Sequence, residues 1–131
     1  MKYSRLIAFA VAWAAAFAAS AHHSFPATYL VDKEVKIEGD LVAFMYRNPH
    51  AFVHVNVKDK SGKIVRYAVE WGAATALGRQ GVTRATFKPG DHVVIWGNPG
   101  RNAEDNRLRM RRIMRPADGM KWGFKEGEDF D

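Results

Sequence analysis

The sequence predicts a small, mostly β domain, because short runs of alternating apolar and polar residues recur along it and only one segment has a helical composition. In the first run, residues 33–46, Val35, Ile37 and Leu41 share one face. Gly39 interrupts that face, where a missing side chain permits a bend or a bulge. The first strand is therefore predicted to be long and curled.

Four more strands and one helix follow in an informative order. The residues RNPH after the first strand predict a turn, since Asn-Pro favours turns. Strands are predicted over residues 51–58, 64–71, 93–97 and 108–114, and a short helix over 73–79. Three strands, a helix and two strands is the order of the oligonucleotide- and oligosaccharide-binding (OB) fold. The predicted fold is an all-β, five-stranded OB-like β-barrel with one short helix between strands 3 and 4.

Residues 1–21 have the three parts of a secretory signal peptide. Lys2 and Arg5 supply positive charge, an uncharged apolar run follows, and Ala19-Ser20-Ala21 is a small-residue cleavage pattern. The apolar run is shorter than the roughly 20 residues that a membrane-spanning helix needs. We therefore expect export and cleavage, a mature domain over residues 22–116, and a flexible, charged tail over residues 117–131.

The composition excludes several classes of chemistry. The chain has no cysteine, which excludes thiolate zinc sites, thiol nucleophiles and iron–sulfur clusters. It also has no phosphate-binding glycine loop and no HExxH pattern, and Glu70 is a lone carboxylate at a strand end. Loss of Lys2 and Arg5 would leave 18 basic residues against 14 acidic ones, a mild excess. We predict that the protein is not an enzyme.

Four short motifs carry a resemblance to a known family. They are AHHSF at residues 21–25, NPHA at 48–51, EWG at 70–72 and FKPGD at 87–91. In this order they resemble a family of small exported bacterial proteins of uncharacterised function, over roughly residues 21–117. The resemblance implies a small OB-like β-barrel and export, to a Gram-negative periplasm or, as the alternative, out of the cell. It implies no activity.

The histidines that follow the leader suggest a metal site. If the leader is cut after Ala21, the new amino group and the Nδ1 of His22 can chelate one ion, and a third imidazole would complete a T-shaped site suited to copper. If the cut falls one residue earlier, His23 occupies position three and can hold Cu(II) in a plane with the amine and two amides. Nitrogen donors in tetragonal geometry favour Cu(II). His50, at a strand edge beside a turn, is the predicted internal ligand. The alternative is that these histidines are polar surface residues.

The remaining histidines and two methionines are expected to have structural roles and not to bind a metal ion. His50 and His54 are four residues apart, about 13 Å along a strand, a distance that two histidines can barely bridge to one ion. They are therefore not expected to share an ion unless the Asn-Pro turn brings His50 back towards His54. We expect His54 and His92 to face solvent or pack in the barrel wall. Met110 and Met114 fall on the alternation of a strand and are expected to fill the core.

The last predicted strand is rich in arginine and offers a second hypothesis. Arg107, Arg109 and Arg111, with Trp96 exposed nearby, would bind an anionic glycan or an acidic protein partner. A nucleic acid is not expected, because the chain is predicted to be exported. The alternative is a solvated strand face whose arginines pair with acidic residues and protect a sheet edge.

Overall fold

The computed structural model describes residues 24–128 as a β-barrel with two short helices and one 3-10 turn. No helix in this part of the chain is long and apolar enough to cross a membrane. The elements, in chain order, are α1 (Phe25–Thr28), β1 (Val35–Met45), β2 (Phe52–Lys58), β3 (Ile64–Glu70), α2 (Ala74–Arg79), β4 (His92–Pro99), the 3-10 turn (Ala103–Asp105), β5 (Arg107–Arg115) and β6 (Met120–Trp122).

Five of the strands close on themselves. β1 lies between β2 and β4. On the other side, β2 pairs with β3 and β4 pairs with β5, and all four of these pairings are antiparallel. A parallel pairing between β3 and β5 completes the ring. This closed, five-stranded arrangement with short helices confirms the prediction of an all-β, OB-like barrel.

The first strand changes partners along its length, as its glycine suggested. Residues 35–40 of β1 pair with β4, and residues 39–45 pair with β2, with a shift in that register between Leu41 and Ala43. A Cβ atom at Gly39 would lie 2.0 Å from the backbone oxygen of Asn56. Only glycine allows this close approach of two backbones, and the strand curls around the barrel there.

The interior of the barrel is filled by one hydrophobic cluster. Alternate residues of each strand supply it, and three aromatic rings, Phe44, Trp71 and Phe87, close one end with centroids 5.8–6.1 Å apart. The strand residues are Ile37, Leu41, Val53, Val55, Val69, Val93, Ile95, Leu108, Met110 and Ile113. The charged and polar side chains that could bind a ligand therefore lie on the rims and on the outer wall of the barrel.

The segment after Pro116 differs from the expectation of a tail without structure. Residues 120–122 form β6, which pairs with residues 113–115 of β5. β3 occupies the same edge of β5 at residues 107–109, so the two strands share that edge. Trp122 packs on Trp71 with ring centroids 5.0 Å apart and donates a hydrogen bond from Nε1 to Gln80. Apolar contact outweighs the polar composition of the segment here.

Candidate functional site

Four parts of the chain meet at one rim of the barrel: α1, the turn before β2, the end of β3 and the start of β5. A cleft of about 220 Å³ lies between them. It is lined by Ser24, Phe25, Thr28, Tyr29, His50, Glu70 and Arg107. A wider, open cleft of about 620 Å³ shares His50 and Glu70. Its other lining residues are Arg47, Asn48, Pro49 and Phe52. The rim is therefore concave on both sides of the His50–Glu70 pair.

Strand pairing brings two of the sequence motifs side by side. β2 and β3 are antiparallel with Phe52 opposite Glu70. Beyond that pair, the amide of Ala51 donates to the carbonyl of Gly72 and the amide of Trp71 donates to the carbonyl of Ala51. The register places His50, just before β2, next to Glu70, at the end of β3. The NPHA and EWG motifs are thus parts of one site.

The turn that carries His50 is held by the second helix. The Oδ1 atom of Asn48 accepts a hydrogen bond from the amide of Thr75 at 3.2 Å, and the carbonyl of Arg47 accepts one from the amide of Ala74 at 3.2 Å. The N-cap residue of α2, Ala73, has no side chain that can cap the helix. Asn48 supplies that hydrogen bond instead, and the turn is fixed to the helix in return.

The N-terminal segment is anchored to the β4–β5 connection by backbone hydrogen bonds. The amide of Leu30 donates to the carbonyl of Pro99, and the amide of Arg101 donates to the carbonyl of Thr28, both at 2.9 Å. The Arg101 side chain donates to the carbonyl of Pro26 at 2.7 Å. These bonds fix α1 against the barrel without a disulfide.

The ring of Phe25 contacts both a cation and the candidate metal ligand. Its centroid is 5.8 Å from that of the His50 ring, and the Arg109 guanidinium carbon lies 3.7 Å from it. Phe25 therefore covers one side of the imidazole and joins the AHHSF motif to the site.

Glu70 is the acceptor at the centre of the site, with a side chain only 13% exposed. Its Oε1 lies 2.5 Å from Nδ1 of His50. Its Oε2 accepts a hydrogen bond from the hydroxyl of Tyr29 and lies 3.5 Å from an Arg107 nitrogen. Burial, assisted by Glu70, raises the pKa of Tyr29 far above its ordinary value, so this hydroxyl keeps its proton and donates.

The contact with Glu70 favours one tautomer of His50. A carboxylate accepts hydrogen bonds only, so with Glu70 as a carboxylate the hydrogen that points at it is on Nδ1 of His50. In the neutral imidazole, Nε2 is then the nitrogen with a free lone pair. An imidazole with a carboxylate on one nitrogen and a lone pair on the other is the usual form of a histidine that binds a metal ion.

The predicted metal ligands are divided by the limits of the described chain. His22 and His23 lie outside it, so their part in a metal site stays a prediction. Within residues 24–128, no group of three or more His, Asp or Glu side chains is arranged to hold a metal ion. A metal site at this rim would therefore need donors from outside residues 24–128. Within residues 24–128, His50 is the candidate ligand at the rim.

The other two histidines lie away from the rim. His54 is half-buried on β2, opposite Ala43 and Ala68. His92 is exposed on β4 and lies between two carboxylates of β1. Its Nε2 is 2.9 Å from Oε1 of Glu38, and its Nδ1 is 2.8 Å from Oδ1 of Asp40. Hydrogen bonds to Glu38 and then Asp40 raise the pKa of His92.

The two methionines of β5 face opposite ways. Met110 is buried in the core, as predicted, whereas Met114 is half-buried and lies outside the core cluster, opposite Lys121 of β6. The register shift between β4 and β5 leaves Arg111 without a partner in that pairing, so residues beyond it change face.

The arginines of β5 do not form one continuous row. Arg107 and Arg109 point toward the rim cleft, where they contact Tyr29 and Phe25. Arg111 is exposed and lines a different surface, beside residues 123–128. The same bulge that moves the methionines separates Arg111 from the other two.

The expectation that Trp96 is exposed beside these arginines was wrong. Trp96 is 8% exposed. The ring of Phe124 meets it edge to face at 5.5 Å, and the cations of Lys36 and Arg112 lie 5.3 Å and 5.2 Å from its centroid. The segment after β6, whose packing the composition does not reveal, brings Phe124 onto the indole and removes it as a stacking surface.

The sequence did not identify Tyr29 and Phe25 as site residues. Tyr29 lies 41 positions from Glu70, and no local pattern relates the two. The available signal was the combination of motifs: AHHSF, NPHA and EWG each contribute one residue, Phe25, His50 and Glu70, to the same rim.

The fold and the rim define a small all-β barrel with a polar cleft centred on a histidine–carboxylate pair. The chain belongs to a family of unknown function (DUF6152), whose model matches residues 10–109. That range contains α1, the NPHA turn, β3 and the first residues of β5, which together form the rim. No curated protein matches the chain.

Proposed function

We propose that this protein is an exported metal-binding module, in which His22 and His23 at the mature N-terminus join His50 to hold copper or another divalent ion. The observation that carries the proposal is that Ser24, the residue directly after His23, lines the same cleft as His50 and Glu70. The proposal includes no catalytic step.

The covalent chain limits how far the predicted ligands can lie from His50. Two residues of extended chain span at most about 7 Å, so the Cα atom of His22 must lie within about 7 Å of the Cα atom of Ser24. An imidazole side chain adds further reach. The anchoring of α1 to the β4–β5 connection fixes the starting point of this short segment beside the cleft.

The donors in question favour copper. Cleavage after Ala21 would supply an amine and the imidazole of His22, and Nε2 of His50 would supply a third nitrogen. Three nitrogen donors suit the tetragonal geometry of Cu(II), which also binds most tightly among the divalent first-row ions. The chain provides no thiolate that would direct the site to zinc or to Cu(I).

The first experiment is the intact mass of the exported protein, purified without a tag or a chelator. A denatured mass that begins at His22 would establish the amine and imidazole pair. A native mass that carries one copper ion after buffer exchange would support the proposal. A protein that begins elsewhere and stays metal-free when supplied with copper would contradict it.

The second experiment assigns the ligands by competition titration with Cu(II). Replacement of His22 and His23 by alanine, and separately His50→Ala, should each weaken binding. His54→Ala is the matched control, because that histidine lies on β2 away from the cleft and should bind copper as the unmodified protein does. Undiminished stoichiometric affinity in the His22 and His23 variant would remove those residues from the site.

The arginine-strand hypothesis has less support. Arg107 and Arg109 already contact Glu70, Tyr29 and Phe25, and Trp96 is covered. Binding of an anionic glycan that falls steeply with salt and is lost in a double alanine variant of Arg109 and Arg111 would favour that function over metal binding.

A further inference from the structure

We infer that Glu70 is the positioning residue of the rim site: it fixes the ring and the tautomer of His50 and ties the N-terminal segment to it through Tyr29. This inference rests on the proposed function for its consequence, metal affinity. It also makes a claim about the metal-free protein that can be tested on its own.

The two oxygens of Glu70 are both committed to other groups. Oε1 faces Nδ1 of His50 at 2.5 Å, while Oε2 accepts from the Tyr29 hydroxyl and faces Arg107. A carboxylate with both oxygens engaged and a side chain only 13% exposed is poorly placed to bind an ion itself. Its role is therefore to orient His50 rather than to act as a ligand.

The hydrogen bond to Nδ1 determines which nitrogen of His50 is available. Free imidazole exchanges between two neutral tautomers, and a carboxylate acceptor at Nδ1 selects the form with its lone pair on Nε2. The ring is also contacted by Phe25, whose ring is tilted by 36° against it with centroids 5.8 Å apart. The ligand is thus preorganised before any ion arrives, which reduces the cost of binding.

Glu70 also connects two halves of the site that are far apart in sequence. Tyr29 is buried, and it lies six positions after His23 on the segment that carries the predicted terminal ligands. His50 lies on the turn before β2. β3 is held on both sides, with Phe52 of β2 and Arg109 of β5 opposite Glu70, so both halves are attached to a rigid strand end.

The first test uses the mature, metal-free protein at about pH 8, above the ordinary titration range of histidine. Nitrogen-15 NMR of the imidazole rings distinguishes hydrogen on Nδ1 from hydrogen on Nε2. The Nδ1–H form should dominate for His50 in the unmodified protein and in Glu70→Gln, whose amide oxygen can still accept. It should be lost in Glu70→Ala, where the ring should show the mixture typical of a solvent-exposed histidine.

The matched control is Glu38→Gln, because Glu38 is the carboxylate partner of another histidine, His92, outside the rim. This variant should alter the His92 signals and leave those of His50 unchanged. Far-ultraviolet circular dichroism of each variant verifies folding. If Glu70→Ala does not fold, Glu70→Leu takes its place in the tautomer measurement, because leucine removes the acceptor but fills most of the space of the glutamate side chain.

The second test measures Cu(II) affinity by chelator competition. Loss of a carboxylate partner behind a metal-binding histidine typically weakens binding 10–100-fold, and we expect a loss in that range for Glu70→Ala. Glu70→Gln keeps the hydrogen bond but not the charge, so its affinity should be intermediate. Glu38→Gln should bind as the unmodified protein does.

The two tests separate failure of this inference from failure of the proposed function. If the unmodified protein binds no copper but Glu70→Ala loses the Nδ1–H form, the metal proposal fails and Glu70 still positions His50. If copper binds and neither the tautomer of His50 nor the copper affinity changes in Glu70→Ala, the positioning role is overturned while metal binding stands.

Discussion

Removal of Trp122 tests whether the segment after Pro116 is part of the folded domain. Its ring meets Trp71 edge to face with centroids 5.0 Å apart, and its Nε1 donates to Gln80 at 2.7 Å. Trp71 itself is only 3% exposed. We therefore expect Trp122→Ala to destabilise the whole barrel, because the substitution uncovers an indole at the closed end of the core.

The magnitude follows from the degree of burial. Replacement of a fully buried tryptophan by alanine costs about 3–5 kcal/mol. Trp122 is half-buried, which reduces that cost to roughly 2 kcal/mol. The lost hydrogen bond adds little, about 0.5 kcal/mol, since Gln80 is exposed and can bond to water. We expect a total near 2–3 kcal/mol, or a decrease in Tm of roughly 10–20 °C for a domain of this size.

Urea and thermal unfolding of a protein that comprises residues 22–131, followed by circular dichroism, would measure this change. Circular dichroism is preferred because the substitution removes a fluorophore. Glu126→Ala is the control: this residue lies in the same C-terminal segment and is exposed, so its stability should change by less than about 0.5 kcal/mol. Equal stability of the two variants would refute the reasoning and show that the Trp122 side chain contributes little to the stability of the barrel.

Two further predictions concern single residues of the barrel wall, His92 and Gly97. The raised pKa of His92 beside Glu38 means that this contact stabilises the fold fully below about pH 6.5 and is lost as pH rises through the higher folded value. The free energies of unfolding of His92→Gln and the unmodified protein should therefore differ by up to about 1 kcal/mol at pH 5 and converge at high pH; a constant difference would contradict this. A Cβ atom at Gly97 would lie 2.5 Å from the backbone oxygen of Arg109, so Gly97→Ala should cost about 1–3 kcal/mol in urea unfolding. Gly72→Ala, whose nearest contact is 3.9 Å, should cost far less, and equal losses would show that the clash is relieved.

Much of the barrel could be predicted because its strands are half-buried and alternate regularly. The predicted range 33–46 became β1 at Val35–Met45, and 108–114 became β5 at Arg107–Arg115. β6 was missed because three residues between glycines give no periodic signal, and its stability comes from contact with Trp71 rather than from local preference. The burial of Trp96 was also missed, because it depends on contact with Phe124, a residue of the segment after β6 that is distant in sequence.

The candidate site could be predicted only in pieces. Sequence spacing singled out His50 beside a turn and Glu70 at a strand end, but it gave no reason to place them together. Their proximity depends on the register between β2 and β3 and on a turn fixed by Asn48 to α2. The contact between Tyr29 and Glu70 joins elements 41 positions apart, and such a pair is set by the closed barrel rather than by local sequence.

Under the proposed function, the position of the leader acquires a chemical meaning. Before cleavage, the nitrogen of His22 is an amide, which binds metal ions poorly unless it loses its proton; after cleavage after Ala21, it is an amine with a free lone pair. The internal half of the site, His50 held by Glu70, contains no atom that the cut changes, because Glu70 lies on β3 and the turn that carries His50 is bonded to α2. Processing would therefore supply only the terminal donors of the site, and it would do so in the course of export. This order would prevent the chain from acquiring a terminal metal chelate before it reaches the compartment in which it acts.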